Sequence, residues 1–252
     1  MDEHKLTRKS HWQSRKRIGT YKAHKYRVPF LDILRRFIPE GENGKLSCLE
    51  VGCVPGRFLL YFNKVLGYRI EGIDYSDEIS SVEKILRYHN VQNYKLYRED
   101  FFEFSPKYEY DLVCSFGFVE HFNNTLSVID AHSKHSKKGG YILFTVPNIR
   151  FLQKWFISRN NPEMLKACNL DIMEPSILRG MLKDKYDIKY CGYVGTIRLY
   201  GRTKNKNYGW KIISYILKKI TSLIDGGLQI AKMNLSNKYT SPHIAVVLRK
   251  DN

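Results

Sequence analysis

The chain has 252 residues, 43% hydrophobic and 13% aromatic, enough for one large core or one core with a cap. Its formal net charge of +17 points to nucleic acid, an anionic membrane surface or a phosphorylated substrate, or only to a base-composition bias favouring lysine, asparagine, isoleucine and tyrosine. No uncharged apolar run of about eighteen residues occurs, and the N-terminus is too charged for the apolar heart of a signal peptide, which argues against a spanning helix and predicts a cytoplasmic chain.

Residues 1–45 read as a basic, partly helical extension carrying Arg8, Lys9, Arg15, Lys16, Arg17, Lys22, Lys25 and Arg27. Within it Phe30, Leu31, Leu34, Phe37 and Ile38 recur at helical spacing. From residue 46 short apolar strands alternate with helices: strand 46–52, helix 58–66, strand 68–73, helix 77–89 with Ser76 as its cap, strand 94–98, strand 111–115, helix 125–135 and strand 141–146. That rhythm predicts parallel βαβ units, hence an α/β fold with a doubly wound, mostly parallel sheet.

Past Pro147 the rhythm changes. Helical inserts are expected at about 148–172 and 200–240, a helix at 175–183, a strand at 187–199 and a last strand at 244–249. The whole of 46–252 reads as one Rossmann-like domain with a helical cap. The helix at 209–233 lines up Trp210, Ile213, Ile216, Leu217, Ile220, Leu223 and Ile224 on one face, with Lys211, Lys218 and Lys219 nearby. Such a face packs on the core or a second subunit of a homodimer, or lies on an anionic membrane.

The five cysteines, Cys48, Cys53, Cys114, Cys168 and Cys191, are scattered and lack metal-ligand spacing, so they read as reduced core thiols and no metal site is expected. Asn123-Asn124-Thr125 and Asn234-Leu235-Ser236 match the glycosylation sequon, a chance match in a cytoplasmic chain.

The chemistry begins at "LEVGCVPGRFL", a strand running into a glycine turn and a helix. Gly52 and Gly56 let the backbone approach a ligand and free the N–H groups of a helix start. About twenty residues on, "GIDYS" ends the next strand with Asp74, where nucleotide-binding doubly wound folds place an acid for ribose hydroxyls. Val54 resists positive φ and Pro55 removes a donor, so the turn is expected to run extended at Val54.

Five blocks in order, "LEVGCVPGRFL", "EGIDYS", "YREDFFEF", "YDLVCSFGFVEHF" and "KKGGYILFTVPN", resemble those of class I S-adenosylmethionine-dependent methyltransferases of the small-molecule or surface-polysaccharide type, over roughly residues 45–148. The resemblance implies S-adenosyl-L-methionine as cofactor, with Glu50, Gly52, Cys53 and Gly56 around its methionine part and Asp74 on the ribose. It further implies Tyr75 beside the adenine, Asp100 at its amine, Phe101 against its ring, and Ser115 and Phe116 on the methyl-transfer face. Val54 stands where many members have glycine, and a small-Pro-Gly loop occurs in ribose methyltransferases of RNA within the same family.

His121, with Glu120 beside it, lies just past the fourth strand and is the candidate general base for a hydroxyl acceptor. The alternative is that the two residues only start the next helix. His132 and His135 are expected at the surface. The block Ser115-Phe116-Gly117-Phe118 lacks the Asn-Pro-Pro-aromatic tetrad of adenine- or glutamine-directed enzymes, and the fifth strand lacks the lysine of RNA ribose enzymes. The ending "NKYTSPHIAVVLRK" resembles methyltransferases of bacterial surface-glycan pathways. Those features favour O-methylation of a sugar or sugar phosphate in polysaccharide biosynthesis, with Arg150, Lys154, Arg159, Arg198, Arg202 and Lys204 as candidates to hold acceptor charge. An RNA methyltransferase and a cofactor-binding regulatory module without turnover are the alternatives.

Overall fold

The computed structural model describes residues 5–7, 28–201, 203–231, 233 and 235–251. The basic residues from Arg8 to Arg27, together with Arg202, lie outside the described residues. Seven strands, β1 Ser47–Val51, β2 Arg69–Ile73, β3 Lys95–Tyr97, β4 Tyr110–Phe116, β5 Ser136–Pro147, β6 Asp187–Val194 and β7 His243–Arg249, form one sheet in the order β3-β2-β1-β4-β5-β7-β6. The first five are parallel, and β7 runs antiparallel to both β5 and β6. The doubly wound α/β architecture expected from the strand-helix rhythm is the one observed.

Eight α-helices accompany the sheet among the described residues: α1 Pro29–Leu34, α2 Arg57–Lys64, α3 Ile79–Tyr88, α4 Thr125–His135, α5 Phe151–Asn160, α6 Glu163–Lys166, α7 Pro175–Leu182 and α8 Tyr208–Ile230. Every residue of β1 is buried, because helices cover both faces of a parallel sheet. One face packs Leu59 and Phe62 of α2, Val82 and Leu86 of α3, and Leu31 and Leu34 of α1. The other packs Val128 and Ile129 of α4 and Leu178 and Leu182 of α7 against Ile142, Phe144 and Val246. α1 thus joins the main core, with the ring of Phe30 against Phe58 and Phe116.

Several local expectations need correcting. Ser76 does not cap α3, whose N-cap is Glu78; the Ser76 hydroxyl instead accepts from the Glu78 N–H at 3.2 Å. β6 stops at Val194, five residues early, because Gly195 turns left-handed (φ 79°) tight against Pro242. β5 begins five residues early, at Ser136, with an irregular register between Tyr110 and Leu112. His132 is 1% exposed, not a surface residue: the side of α4 that carries it faces Phe101 and Phe118, at ring distances of 4.8 and 5.9 Å.

α8 carries the expected periodicity but turns it outward. Its buried positions are Ser214, Thr221 and Asp225, whereas Ile213, Ile216, Ile220, Leu223 and Ile224 are exposed, so this face does not pack on the core. All five cysteines are buried free thiols. No helix among the described residues is long and apolar enough to cross a membrane.

Candidate active site

Strand order reverses between β1 and β4, and in open α/β sheets ligands bind outside the carboxyl ends of the strands at such a switch point. There the chain leaves β1 through Gly52 and Cys53, whose N–H groups donate to the Ile73 carbonyl at 2.8 and 3.2 Å. The left-handed steps fall on Gly52 (φ 72°) and Gly56 (φ 90°), and Val54 keeps a negative φ. A Cβ on Gly56 would lie 2.9 Å from Val82 Cγ1, so the turn can approach α3 this closely only with glycine. The Val54–Pro55 bond is cis.

That turn is tied to the end of β2. Val54 N donates to Asp74 Oδ2 at 3.2 Å, and Ser76 N donates to Asp74 Oδ1 at 2.9 Å. A carboxylate has about four acceptor positions, so two backbone anchors fix its direction while remaining compatible with a vicinal diol.

Asp74 opens on a cavity at this edge of the sheet. Its walls are the turn at Gly52 and Val54, the segments 74–76, 99–102 and 116–118, and His121 with Phe122. The remaining wall comes from the other end of the chain. Lys5 forms an isolated antiparallel bridge with Phe122, Leu6 N donates to the His121 carbonyl at 2.9 Å, and Thr7 lines the cavity.

Seven of the sequence-predicted site residues line this cavity: Gly52, Asp74, Tyr75, Asp100, Phe101, Phe116 and His121. Burial, and then the neighbouring Asp74 and Asp100, raise the Tyr75 hydroxyl above its ordinary pKa, so it stays a neutral phenol. Asp100 is occupied on both oxygens: Oδ1 accepts from Phe102 N at 3.2 Å and Oδ2 from Lys5 Nζ at 3.2 Å. Phe116 stacks on Phe58 at 3.9 Å, which pins the end of β4.

The other five stand behind the walls. Glu50 is buried in mid-sheet between Gly72 and Cys114. Cys53 is buried beneath the turn, and burial, then Glu50 and Asp74, raise its thiol well above the ordinary value, which leaves it inert as a nucleophile. Gly56 starts α2. Ser115 is fully buried, and its hydroxyl has no hydrogen-bond partner among the described residues. Glu120 is buried with Oε1 3.7 Å from His121 Nε2.

The geometry of His121 carries chemical information. Its Nδ1 lies 2.6 Å from the Ala167 carbonyl, which can only accept. Nδ1 therefore bears the proton, and in the neutral ring Nε2 holds the lone pair of a base. Ala167 directly follows α6, so the insert after β5 fixes the tautomer. The same insert grips the turn again through Asn169, whose N–H donates to the Glu120 carbonyl at 2.6 Å.

The candidate acceptor cations are dispersed. Arg150 pairs with Glu174, Lys204 pairs with Glu163, and Arg159 lies over the Trp155 ring at 4.9 Å. Lys154 lines a second cleft with Arg150, Phe151 and Asp171. Sequence reasoning missed Lys5, Thr7, Glu99 and Phe118 as wall residues. Phe118 lies inside the "FGFVEHF" block and was within reach of that signal, whereas nothing local marks Lys5.

Residues 21–182 match the family described as methyltransferase domain. No curated protein matches the chain by sequence. Among solved structures, coclaurine N-methyltransferase bound to N-methylheliamine and SAH is similar at 16% identity and a TM-score of 0.57, over 88% of this chain and 71% of its own. YjhP from E. coli is similar at 13% identity and a TM-score of 0.58, over 92% and 96%. A putative methyltransferase from Bacillus halodurans C-125 is similar at 12% and 0.57, over 89% and 99%. At such identities the neighbours establish the fold, and the family match spans well over half of the chain. The strand order, the glycine turn and the match together make this chain a member of the methyltransferase domain family, with the class I S-adenosylmethionine-dependent methyltransferase fold.

Proposed function

We propose that the cavity binds S-adenosyl-L-methionine and that the enzyme methylates a hydroxyl of a small polar acceptor, a sugar or sugar phosphate of surface-polysaccharide biosynthesis. The residues fit such a cofactor. Asp74, aimed by two backbone N–H groups, suits the ribose diol; Tyr75, Phe101 and Phe102 offer aromatic surface for a purine; and the Gly52 turn admits a chain along its backbone. When bound, the cofactor supplies a methyl group on a sulfonium, which leaves its bonding electrons on sulfur.

The protein's share is positioning and proton removal. His121 carries the reading: its Nδ1–H is committed to Ala167, its Nε2 is the basic nitrogen, and the ring lies on the cavity wall. With the cofactor bound, Nε2 would take the acceptor's hydroxyl proton. Glu120, 3.7 Å from Nε2, stabilises the imidazolium that results. Phe116 and Phe118 keep water from the reacting atoms, where a water molecule would compete for the base.

A methyl-tritium transfer assay across nucleotide-sugar, glycan and RNA fractions tests this. Label in a sugar-containing fraction, lost in His121→Ala, is the expected result. The net charge of +17 favours RNA as the second reading, and label in RNA with a steep salt dependence would establish it instead.

A further inference from the structure

α8 is amphipathic with its polarity reversed. Ser214, Thr221 and Asp225 face inward, and each has a partner there: Ser214 Oγ lies 2.9 Å from Thr203 Oγ1, Thr221 Oγ1 accepts from Leu199 N at 3.2 Å, and Thr196 Oγ1 donates to Asp225 Oδ1 at 2.5 Å. Lys218 also turns inward, donating to the Gly201 carbonyl at 2.7 Å. A helix rotation of about 100° per residue puts Ile212, Ile213, Ile216, Ile220, Leu223 and Ile224 on one arc of about 120°, opposite those anchors. Their exposures run from 45% to 75%. Tyr208 and Tyr215 flank the arc at 76% and 61% exposure.

The charge on this helix is one-sided. Its only acid, Asp225, is the buried one; of its two exposed lysines Lys219 borders the arc, about 20° from Ile212, and Lys211 lies on the opposite side. A second copy of α8 meeting the arc would bring no exposed acid to Lys219. An anionic surface neutralises Lys219, and the tyrosines suit the boundary between headgroups and acyl chains.

We propose that α8 is an interfacial anchor, lying on an anionic lipid bilayer with its isoleucine arc among the acyl chains. The helix belongs to the connection from β6 to β7, and Val194 at the end of β6 pairs with His243 at the start of β7, which also pairs with Pro147 at the end of β5. That connection therefore sits on the strand edge that carries Gly52 and Asp74. Anchoring by α8 brings the catalytic edge of the sheet to the membrane surface.

The test uses the full chain and two vesicle preparations, phosphatidylcholine alone and with about 30% phosphatidylglycerol. The chain should sediment with the anionic vesicles and bind the neutral ones at least about tenfold more weakly. A triple variant, Ile216→Glu, Ile220→Glu and Leu223→Glu, should lose binding about tenfold or more at an unchanged melting temperature, because the three side chains already face solvent. Lys219→Gln should weaken binding a few-fold and flatten its salt dependence, and Lys211→Gln, on the far side of the helix, should do so less. Full binding by the triple variant would show attraction by basic residues elsewhere and overturn the proposal. So would failure of the unaltered chain to bind, or a concentration-dependent dimer that the triple variant dissolves. Vesicle binding reads no methyl transfer, so this test and the assay of the proposed reaction fail separately.

Discussion

Between β2 and β4 the rim of the sheet is furnished by short turns; between β5 and β7 it is furnished by inserted helices and long connections. On the first side the contacts that aim Asp74 are backbone to side chain, from Val54 N and Ser76 N. On the second they are side chain to side chain across the inserts, such as Arg150 with Glu174 and Lys204 with Glu163. The first side can hold one ligand shape because glycines and a carboxylate are fixed by the fold itself. The second can change its contacts without disturbing the strands, which suits it to recognising an acceptor. His121 stands on the seam, on the cofactor cavity wall yet oriented by Ala167 of the insert.

The largest effect is expected at that seam. His121→Ala should lower kcat by about two to four orders of magnitude with cofactor affinity intact, measured by steady-state kinetics beside calorimetry. An unchanged rate would move the base to another residue.

The other histidine near the seam gives the next effect. Burial pushes His132 down to about 4, so its ring stays neutral in the folded chain while the unfolded chain takes up a proton near the ordinary value of 6.5. Folding stability is therefore complete above about pH 6.5 and falls as pH drops toward 4, by about 2 to 3 kcal/mol from this ring. Denaturant melts at a series of pH values should show that loss, and His132→Phe should remove most of it.

Asp74→Ala should weaken cofactor binding by about 1 to 3 kcal/mol, since the ribose contacts proposed for it would go with the anchor of the Val54 N–H. Near-normal affinity by calorimetry would withdraw the ribose assignment. Smallest is Lys5→Ala, which removes a largely buried ion pair with Asp100 at the cavity wall and should change cofactor affinity by about 1 kcal/mol.

The legible parts of this molecule were those written in neighbouring residues. The glycine turn and Asp74 announce themselves because a tight turn needs glycine and the acid ends the next strand about twenty residues on. Lys5 and Asp100 are 95 residues apart, and His121 and Ala167 are 46 apart, so no local pattern could join them. For α8 the period was visible and the sense of burial was not. Periodicity locates an apolar stripe, but what decides which stripe turns inward is the partners waiting there, and Thr196, Leu199 and Thr203 offer hydrogen bonds to a polar face. His132 was misplaced for a similar reason: its aromatic neighbours Phe101 and Phe118 come from other elements.

The five buried thiols fall on both sides of this divide, with Cys48, Cys53 and Cys114 under the cofactor half and Cys168 and Cys191 under the inserts. A buried thiol is alkylated only when its surroundings open, so each cysteine is a clock for the region around it. Mapping alkylation cysteine by cysteine over time would show whether the two halves open as one body or whether the acceptor side breathes while the cofactor side stays shut.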